Sequence, residues 1–195
     1  MIVNSNPECG DLLSADTCDY SPPDLLLFQQ LPTECDGEWA LVTSDSVFSY
    51  FVYDDYEAFG ELTALHWWGC DLRYISDSSW IECDQDTMTF NIEFCQDNGS
   101  GIPNVSNPLI VYTVAAVHHP YAVCTLDSIY QLWDWQVTFD PPSYLQVGWV
   151  GIQGAADGDS CSFLWYSSDD AFGYNSYQTG VGYTDYQQAF CLNGM

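Results

Sequence analysis

The stretch Val52-Tyr-Asp-Asp-Tyr-Glu-Ala-Phe-Gly-Glu-Leu-Thr-Ala-Leu-His-Trp-Trp-Gly-Cys70 organises the chain. The acidic pair Asp54-Asp55 leads into a run dense in apolar and aromatic residues, which stops at Gly69-Cys70. We predict an acidic turn at Asp54-Asp55 and one long core strand over residues 61–68. The other strands of the domain are expected to be partners of this strand.

Alternation of apolar and polar residues marks the clearest half-buried strand, over residues 87–94. The mixed, β-branched pattern of residues 109–118 indicates burial on both faces. The strand over residues 128–139 is expected to end at Pro141-Pro142. Further strands are predicted over residues 38–42, 47–53, 144–151, 162–166 and 187–192, with a long loop over residues 167–185.

No segment shows a convincing apolar period of 3.6 residues, and the strands follow one another at roughly regular spacing between turn residues. This pattern predicts an all-β fold, an antiparallel β-sandwich of the jelly-roll type, over residues 25–195. Residues 1–24, with Cys9 and Cys18, are interpreted as an N-terminal arm. The arm either packs on its own domain or reaches a neighbouring subunit.

The charge of the chain is unusual because bases are missing. There are 28 acidic residues and one base, Arg73, which gives a formal net charge of −27. Such a chain must rely on solvent, salt or bound cations to neutralise its acids. Binding to nucleic acid or to an anionic membrane is excluded as a function class, because nothing neutralises phosphates. No apolar run is long enough to span a membrane.

Nine cysteines are scattered along the chain and none forms a C-x-x-C pair. They predict disulfides in an extracellular setting, with at least one thiol left over because nine is odd. A bridge between Cys70 and Cys83 is plausible, and Cys9 and Cys18 either close a small loop or staple the arm to the domain. The disulfide candidates are Cys9, Cys18, Cys35, Cys70, Cys83, Cys95, Cys124, Cys161 and Cys191.

Acidic side chains at three places are candidates for a structural Ca²⁺, which prefers hard oxygen ligands. The acidic pair with Glu57 nearby is the first, since paired carboxylates on a turn repel unless a cation or water separates them. Two others have alternate spacing that lets two carboxylates face one ion. The metal candidates are Asp54, Asp55, Glu57, Asp84, Asp86, Asp157 and Asp159. The alternative is that these acids cap turns or lie in solvated loops.

The order of several landmarks resembles a family of secreted bacterial β-sandwich domains, found in predicted surface-anchored proteins and largely uncharacterised. The resemblance covers roughly residues 25–194 and implies an extracellular, jelly-roll-like fold without an established activity. The chain departs from the family in its cysteine-containing arm and in lacking a sorting tail. The landmarks are Leu31-Pro32, Asp54-Asp55-Tyr56, Trp67-Trp68-Gly69, Phe90-Asn-Ile-Glu-Phe94, Asp97 with Gly101-Ile-Pro103, Trp149-Val-Gly-Ile-Gln153, Phe163-Leu-Trp165 and Ala189-Phe-Cys-Leu-Asn-Gly194.

Aromatic residues in polar loops are candidates for stacking against sugars. They are Trp80, Tyr174, Tyr177 and Tyr183, set among Asn, Asp and Gln. The alternative is that these rings pack against the domain or against a neighbouring subunit.

No set of residues predicts catalysis. A G-x-S-x-G elbow is absent, and a cysteine nucleophile needs a nearby cation, which this chain almost lacks. We therefore expect a non-enzymatic extracellular subunit that self-assembles into a surface layer, filament or sheath, held by disulfides and calcium. The alternative function is a carbohydrate-binding, lectin-like module with an aromatic platform and a possible glycan partner.

Overall fold

The computed structural model of the protein describes residues 18, 25–34, 39–76, 79–83, 87–126, 130–155, 161–170 and 172–195, without the side chains of residues 76 and 122–126. This part of the chain forms strands, turns and extended segments. It contains no helix, so no helix in these ranges could cross a membrane. The all-β, antiparallel prediction is confirmed.

The described strands form one curled antiparallel sheet. Its longest path runs β1-β14-β4-β8-β7-β6-β9-β3-β11-β12. The remaining strands attach to β4 and β10: β5 pairs with β4, and β10 pairs with β2, β4 and β13. The strands are β1 (Leu25–Gln30), β2 (Leu41–Thr43), β3 (Val52–Tyr56), β4 (Gly60–Ser76), β5 (Ser79–Glu82), β6 (Thr87–Cys95), β7 (Ile110–Leu126), β8 (Tyr130–Leu145), β9 (Gly148–Ala155), β10 (Cys161–Ser168), β11 (Tyr177–Gln178), β12 (Gly182–Tyr183), β13 (Gln187–Gln188) and β14 (Phe190–Gly194).

Strand β4 is the centre of this arrangement, as its sequence predicts. Its first part pairs with β8 and β14, and its second part pairs with β10 and β5. The strand is longer than predicted, because it continues past Cys70 to Ser76. It can continue because β10 pairs with it beyond the end of the β14 pairing, and β5 pairs with it beyond the end of the β8 pairing.

Both faces of β4 are buried, against two different apolar clusters. Leu65 and Trp67 face the main core inside the curl, and Trp68 and Leu72 face a second cluster on the other side. Phe90 of β6 lies at the centre of the main core. Its ring makes edge-to-face contacts with the rings of Trp67, Trp135 and Phe163, at centroid distances of 4.9, 5.1 and 5.1 Å.

The alternation of apolar and polar residues predicts side-chain burial correctly in β6, whereas the pattern of β7 does not. Met88, Phe90, Ile92 and Phe94 are buried while the residues between them are more exposed, which confirms the period of two. In β7 the outward residue Val111 is exposed, so the prediction of burial on both faces is wrong there.

The predicted break at Pro141-Pro142 is also wrong, because β8 runs through both prolines to Leu145. The pairing of β8 with β4 is irregular over this section, from Thr138 to Ser143. Prolines that lack an N–H are tolerated where no partner strand needs a donor.

The acidic pair does not form a turn. Asp54 and Asp55 lie in the middle of β3, which pairs with β9 on one side and with β11 on the other. This corrects the predicted acidic turn. The physical reason is that amide donors replace water around both carboxylates: Gln188 and Gln30 donate to Asp54, and Tyr174 donates to Asp55.

Among the described residues, two disulfides join parts of the chain that are distant in sequence: Cys18 to Cys191 and Cys83 to Cys161. Cys83 therefore does not bond Cys70, and the predicted bridge between them is wrong; Cys70 and Cys95 are buried free thiols. The Cys18–Cys191 bond attaches residue 18 to β14 of the same chain. Cys9 and Cys35 lie outside the described residues, as does the side chain of Cys124. Two disulfides indicate an oxidising compartment.

Removal of the Cys83–Cys161 bond should destabilise the protein. The double change Cys83→Ala with Cys161→Ala is expected to lower the free energy of unfolding by about 2–4 kcal/mol, because the bond closes a long loop. Denaturant unfolding measures this. Cys95→Ala is the matched control, since it removes a buried free thiol and no cross-link. A non-reducing peptide map that links Cys70 to Cys83 would contradict the assignment.

Candidate functional site

A layer of aromatic rings covers the outer face of the sheet near β3 and β9. Tyr53 of β3 and Trp149 of β9 are buried there. The Tyr53 ring lies across Gly151 of β9, where any Cβ would overlap it. Its hydroxyl donates to Glu93 Oε2 on β6 at 2.7 Å, and Phe51 stacks on it at 4.7 Å. The layer forms because β9 has a glycine where the ring must cross.

Three of the tyrosines predicted as sugar contacts come together on top of this layer. Tyr177 and Tyr183 are directly opposite each other in the β11–β12 hairpin, with ring centroids 6.0 Å apart at 88°. Tyr174 lies beside Tyr183 at 6.4 Å, with 31° between the rings. Beneath Tyr174, the buried Trp149 ring stacks nearly parallel at 6.1 Å and 16°. Tyr174 and Tyr183 remain 53% and 47% exposed, so they present their rings to solvent.

Asp55 anchors this cluster to β3. Its Oδ1 accepts a hydrogen bond from the Tyr174 amide at 3.0 Å. Gly173, immediately before Tyr174, has φ = 62°, and a Cβ on it would overlap the Asp55 carboxylate. A residue without a side chain is therefore required at position 173 for the chain to pass over the carboxylate.

Asp97 reaches the same cluster from the loop between β6 and β7. Its Oδ1 accepts hydrogen bonds from the amides of Gly99 and Gly101 at 2.6 and 3.2 Å, which hold the loop closed. The Tyr183 hydroxyl donates to the Gly101 carbonyl, and Tyr174 also lies close to Gly101. The loop thus brings an exposed carboxylate next to two half-exposed tyrosines.

The electrostatics of this site are those of two carboxylates with no base beside them. Burial, and to a smaller extent the charge of Asp97, raises the pKa of Asp55 to about 6, against hydrogen bonds from the backbone amides of Tyr174 and Asp55 that lower it. The pKa of Tyr183 is also raised, by burial and then by Tyr174, Asp97 and Asp55. The single arginine lies on β4, which does not contribute to the site. We name the set Asp55, Asp97, Tyr174, Tyr177 and Tyr183 the tyrosine–acid cluster.

Trp80, the fourth predicted sugar contact, lies elsewhere. It belongs to β5, where its ring meets those of Tyr74 at 5.2 Å and Phe48 at 6.4 Å. Its strand pairs with the far end of β4, away from β3. The structure therefore brings together three of the four predicted aromatic residues.

Asp54 and Asp55 do not converge on one cation, because neighbouring residues of a strand point to opposite faces. Asp54 is fully buried on the core side. Its Oδ2 accepts from the Gln188 amide and from Gln30 Nε2, the latter at 3.2 Å, and its Oδ1 accepts from the Asp55 amide at 3.0 Å. Each carboxylate therefore has its own hydrogen-bond donors, and calcium binding at this pair stays a prediction.

Of the other metal candidates, only Glu57 lies within the described residues. Glu57 is exposed just after β3, and Asp84, Asp86, Asp157 and Asp159 lie outside the described residues. Within the described ranges, no group of three or more His, Cys, Asp and Glu side chains could hold a metal ion.

Buried aspartates occur away from the tyrosine–acid cluster as well. Asp71 of β4 is almost fully buried, and neither of its carboxylate oxygens has a hydrogen-bond partner of normal geometry. Burial raises its pKa to about 7, and the charge of Glu82 adds to this. Burial also raises the pKa of Asp45 and, more strongly, that of Asp54. In all three groups, burial favours the protonated, uncharged carboxyl group.

Sequence reasoning did not identify Asp97 or Trp149 as members of this site. In the sequence, Asp97 stands out only as a landmark of the family resemblance, and Trp149 lies in the strand predicted over residues 144–151. Only the register of β3, β9 and β6 shows that Asp55, Trp149 and Cys95 lie opposite one another. That register depends on contacts between distant segments, which single-segment patterns do not contain.

A glycine substitution can test how the site is held together. Gly173→Ala should lower the melting temperature clearly more than Gly180→Ala, because only the first Cβ overlaps a carboxylate. Both glycines have positive φ, 62° and 78°, so both alanines carry a backbone cost of about 1 kcal/mol. Gly180 has open space around it and is the matched control. Equal losses in thermal unfolding would contradict the packing of residue 173 on Asp55.

Acidification should stabilise the protein. The folded-state pKa values of Asp55 and Asp71, about 6 and 7, lie above the ordinary 3.8, so the folded state binds protons more tightly than the unfolded chain. The resulting stability is fully present below about pH 3.8 and is lost as the pH rises through 6 and 7. Melting temperatures between about pH 4.5 and pH 8 check this.

Asp71→Asn separates this linkage from general charge repulsion. The variant should raise stability at about pH 8, by up to about 4 kcal/mol, and should change it little at low pH. Asp140→Asn, on an exposed part of β8, removes one charge without removing a buried acid and is the control. A lower stability of Asp71→Asn than of the unchanged protein at about pH 8 would contradict the assignment.

Comparison of the chain with protein-family models, with curated proteins and with solved structures finds no match. The family membership suggested by the sequence landmarks therefore stays a prediction. The geometry of the tyrosine–acid cluster is therefore the main indication of function.

Proposed function

We propose that the protein is a carbohydrate-binding module and that the tyrosine–acid cluster is its binding site. The observation that carries this proposal is the pair of half-exposed rings of Tyr174 and Tyr183, next to the exposed Asp97. Sugars present apolar C–H faces that stack on aromatic rings, and hydroxyl groups that donate to carboxylates. Both kinds of contact are available within one small surface.

The cluster is well supported from beneath, which favours binding. Trp149 stacks under Tyr174, and the Tyr183 hydroxyl is held by the Gly101 carbonyl. Rings that are already held in place lose little conformational entropy when a ligand binds. A site of this kind is expected to bind with modest affinity and without large conformational change.

The other expectations drawn from the sequence remain proposals beside this one. They are a jelly-roll-like sandwich, an extracellular location, a structural calcium ion, and assembly into a layer, filament or sheath. The disulfide between Cys18 and Cys191 favours an N-terminal arm that packs on its own domain over one that reaches a neighbour. This favours the binding module over the assembling subunit.

A glycan array with the full-length chain tests the proposal. We expect binding to neutral or amino-sugar oligosaccharides and none to sulfated or uronic acid oligosaccharides, which the net charge of −27 repels. Tyr174→Ala and Tyr183→Ala should each weaken binding by about tenfold or more, because each removes a stacking face.

The matched control is Tyr144→Ala. Tyr144 is 63% exposed on β8, outside the tyrosine–acid cluster, so its loss should leave glycan binding unchanged. Circular dichroism confirms that each variant is folded. The proposal is overturned if no oligosaccharide binds, or if the three variants weaken binding equally.

A further inference from the structure

In the part of the chain that the structure describes, no basic side chain belongs to the elements that form the tyrosine–acid cluster. The only Arg is on β4, there is no Lys, and the three His residues are on β4 and β7. None of these elements builds the cluster, which comes from β3, β11, β12 and the segments around Asp97 and Tyr174. Within the described residues, no Arg, Lys or His side chain belongs to the elements that carry Asp55 and Asp97, so a cationic ligand would be the partner that their charge favours.

The two carboxylates and the tyrosines are close enough to influence one another. The charge of Asp97 acts on Asp55, and both act on Tyr183. Asp55 is nearly buried beneath the Gly173–Tyr174 backbone, whereas Asp97 is exposed. The two backbone hydrogen bonds of Asp97 both go to Oδ1, so the loop is held through one oxygen. Asp97 is thus the group placed to contact a ligand, and Asp55 adds charge from beneath.

We propose that the ligand of this site is an amino sugar, a pyranose that carries a protonated amine beside its apolar face. This inference rests on the proposed function and names the class of carbohydrate. The pyranose ring stacks on Tyr174 or Tyr183, and the ammonium group donates to Asp97. A charge-assisted hydrogen bond is about twice as strong as a neutral one, so an amine gains more here than a hydroxyl at the same carbon.

The aromatic rings favour the same ligand. Tyrosine faces attract cations through the negative face of the ring, in addition to stacking against C–H groups. The negative field of the whole chain raises the local concentration of positively charged ligands and speeds their association. A neutral sugar can stack on this surface and make a neutral hydrogen bond to Asp97, whereas a ring-free amine uses only the charge.

Titration calorimetry with three matched trisaccharides tests the inference. The β-1,4 trimers of glucosamine, N-acetylglucosamine and glucose differ only at C2, which carries an ammonium, an acetamide or a hydroxyl. At about pH 6 the sugar amines are protonated. We expect the glucosamine trimer to bind the full-length protein about tenfold or more tightly than the other two, because a charge-assisted hydrogen bond to Asp97 replaces a neutral one and the negative field of the chain adds to it. Spermidine, a ring-free polyamine, should bind more weakly than the glucosamine trimer.

Asp97→Asn supplies the decisive variant. Asparagine keeps an oxygen that accepts from Gly99 and Gly101, so the loop is preserved while the charge is lost. The preference for the amine should then fall to within about threefold, because the glucosamine trimer loses its charged partner while the neutral trimers lose only part of a neutral hydrogen bond. Asp140→Asn removes an exposed charge elsewhere and should keep the full preference.

The outcomes separate the inference from the proposed function. Equal binding of all three trimers would overturn the amino-sugar inference and leave a carbohydrate-binding site. Spermidine binding as tight as the glucosamine trimer, or a preference retained in Asp97→Asn, would also overturn it, because general attraction to an acidic protein would explain the data. Binding of none of the three trimers and of no array oligosaccharide would overturn both.

Discussion

The double burial of β4 is the constraint on which the rest of the structure depends. Trp67 points into the main core and Trp68 into the second cluster, so the strand cannot shift by one residue without exchanging the two cores. Gly69 is the residue where the partners change: it lies opposite Trp133 of β8 and opposite Trp165 of β10. A Cβ there would overlap the Phe163 ring and the Leu164 carbonyl, so only glycine allows the strands to meet.

A chain with one arginine and no lysine must satisfy most of its carboxylates without salt bridges, and this one uses backbone amides. Asp45 accepts from the amides of Val47 and Phe163 at 2.8 and 3.0 Å, and Asp54 accepts from the Gln188 amide. Asp170 accepts from the Leu31 amide at 2.8 Å. Apart from the local bond from Val47, these bonds join segments that are far apart in sequence, so the acids serve as cross-links. An amide supplies a hydrogen bond but no full charge, which is why burial still raises the pKa of Asp45 and Asp54.

Several strands could be predicted from the sequence, but the contacts between distant segments could not. The central strand, the alternation of β6 and the presence of disulfides follow from local patterns, because each depends on the residues of one segment. The position of Asp54-Asp55 could not be predicted in this way. Two adjacent acids are typical of a turn, and only Gln30, Gln188 and Tyr174, from distant parts of the chain, make a buried strand possible. The disulfide partners depend on the sheet order in the same way.

Neighbouring positions on β3 link the closure of the fold to the candidate site. Asp54 joins the β1 end of the sheet to β3 through Gln30, and Asp55 holds the Tyr174 segment on the outer face. A strand places such neighbours on opposite faces, so fixing the first residue in the core fixes the second under the tyrosines. The main core therefore determines the position of the tyrosine–acid cluster, although the two share no side chain. A site that is built on a strand in this way is held more rigidly than one formed by loops alone.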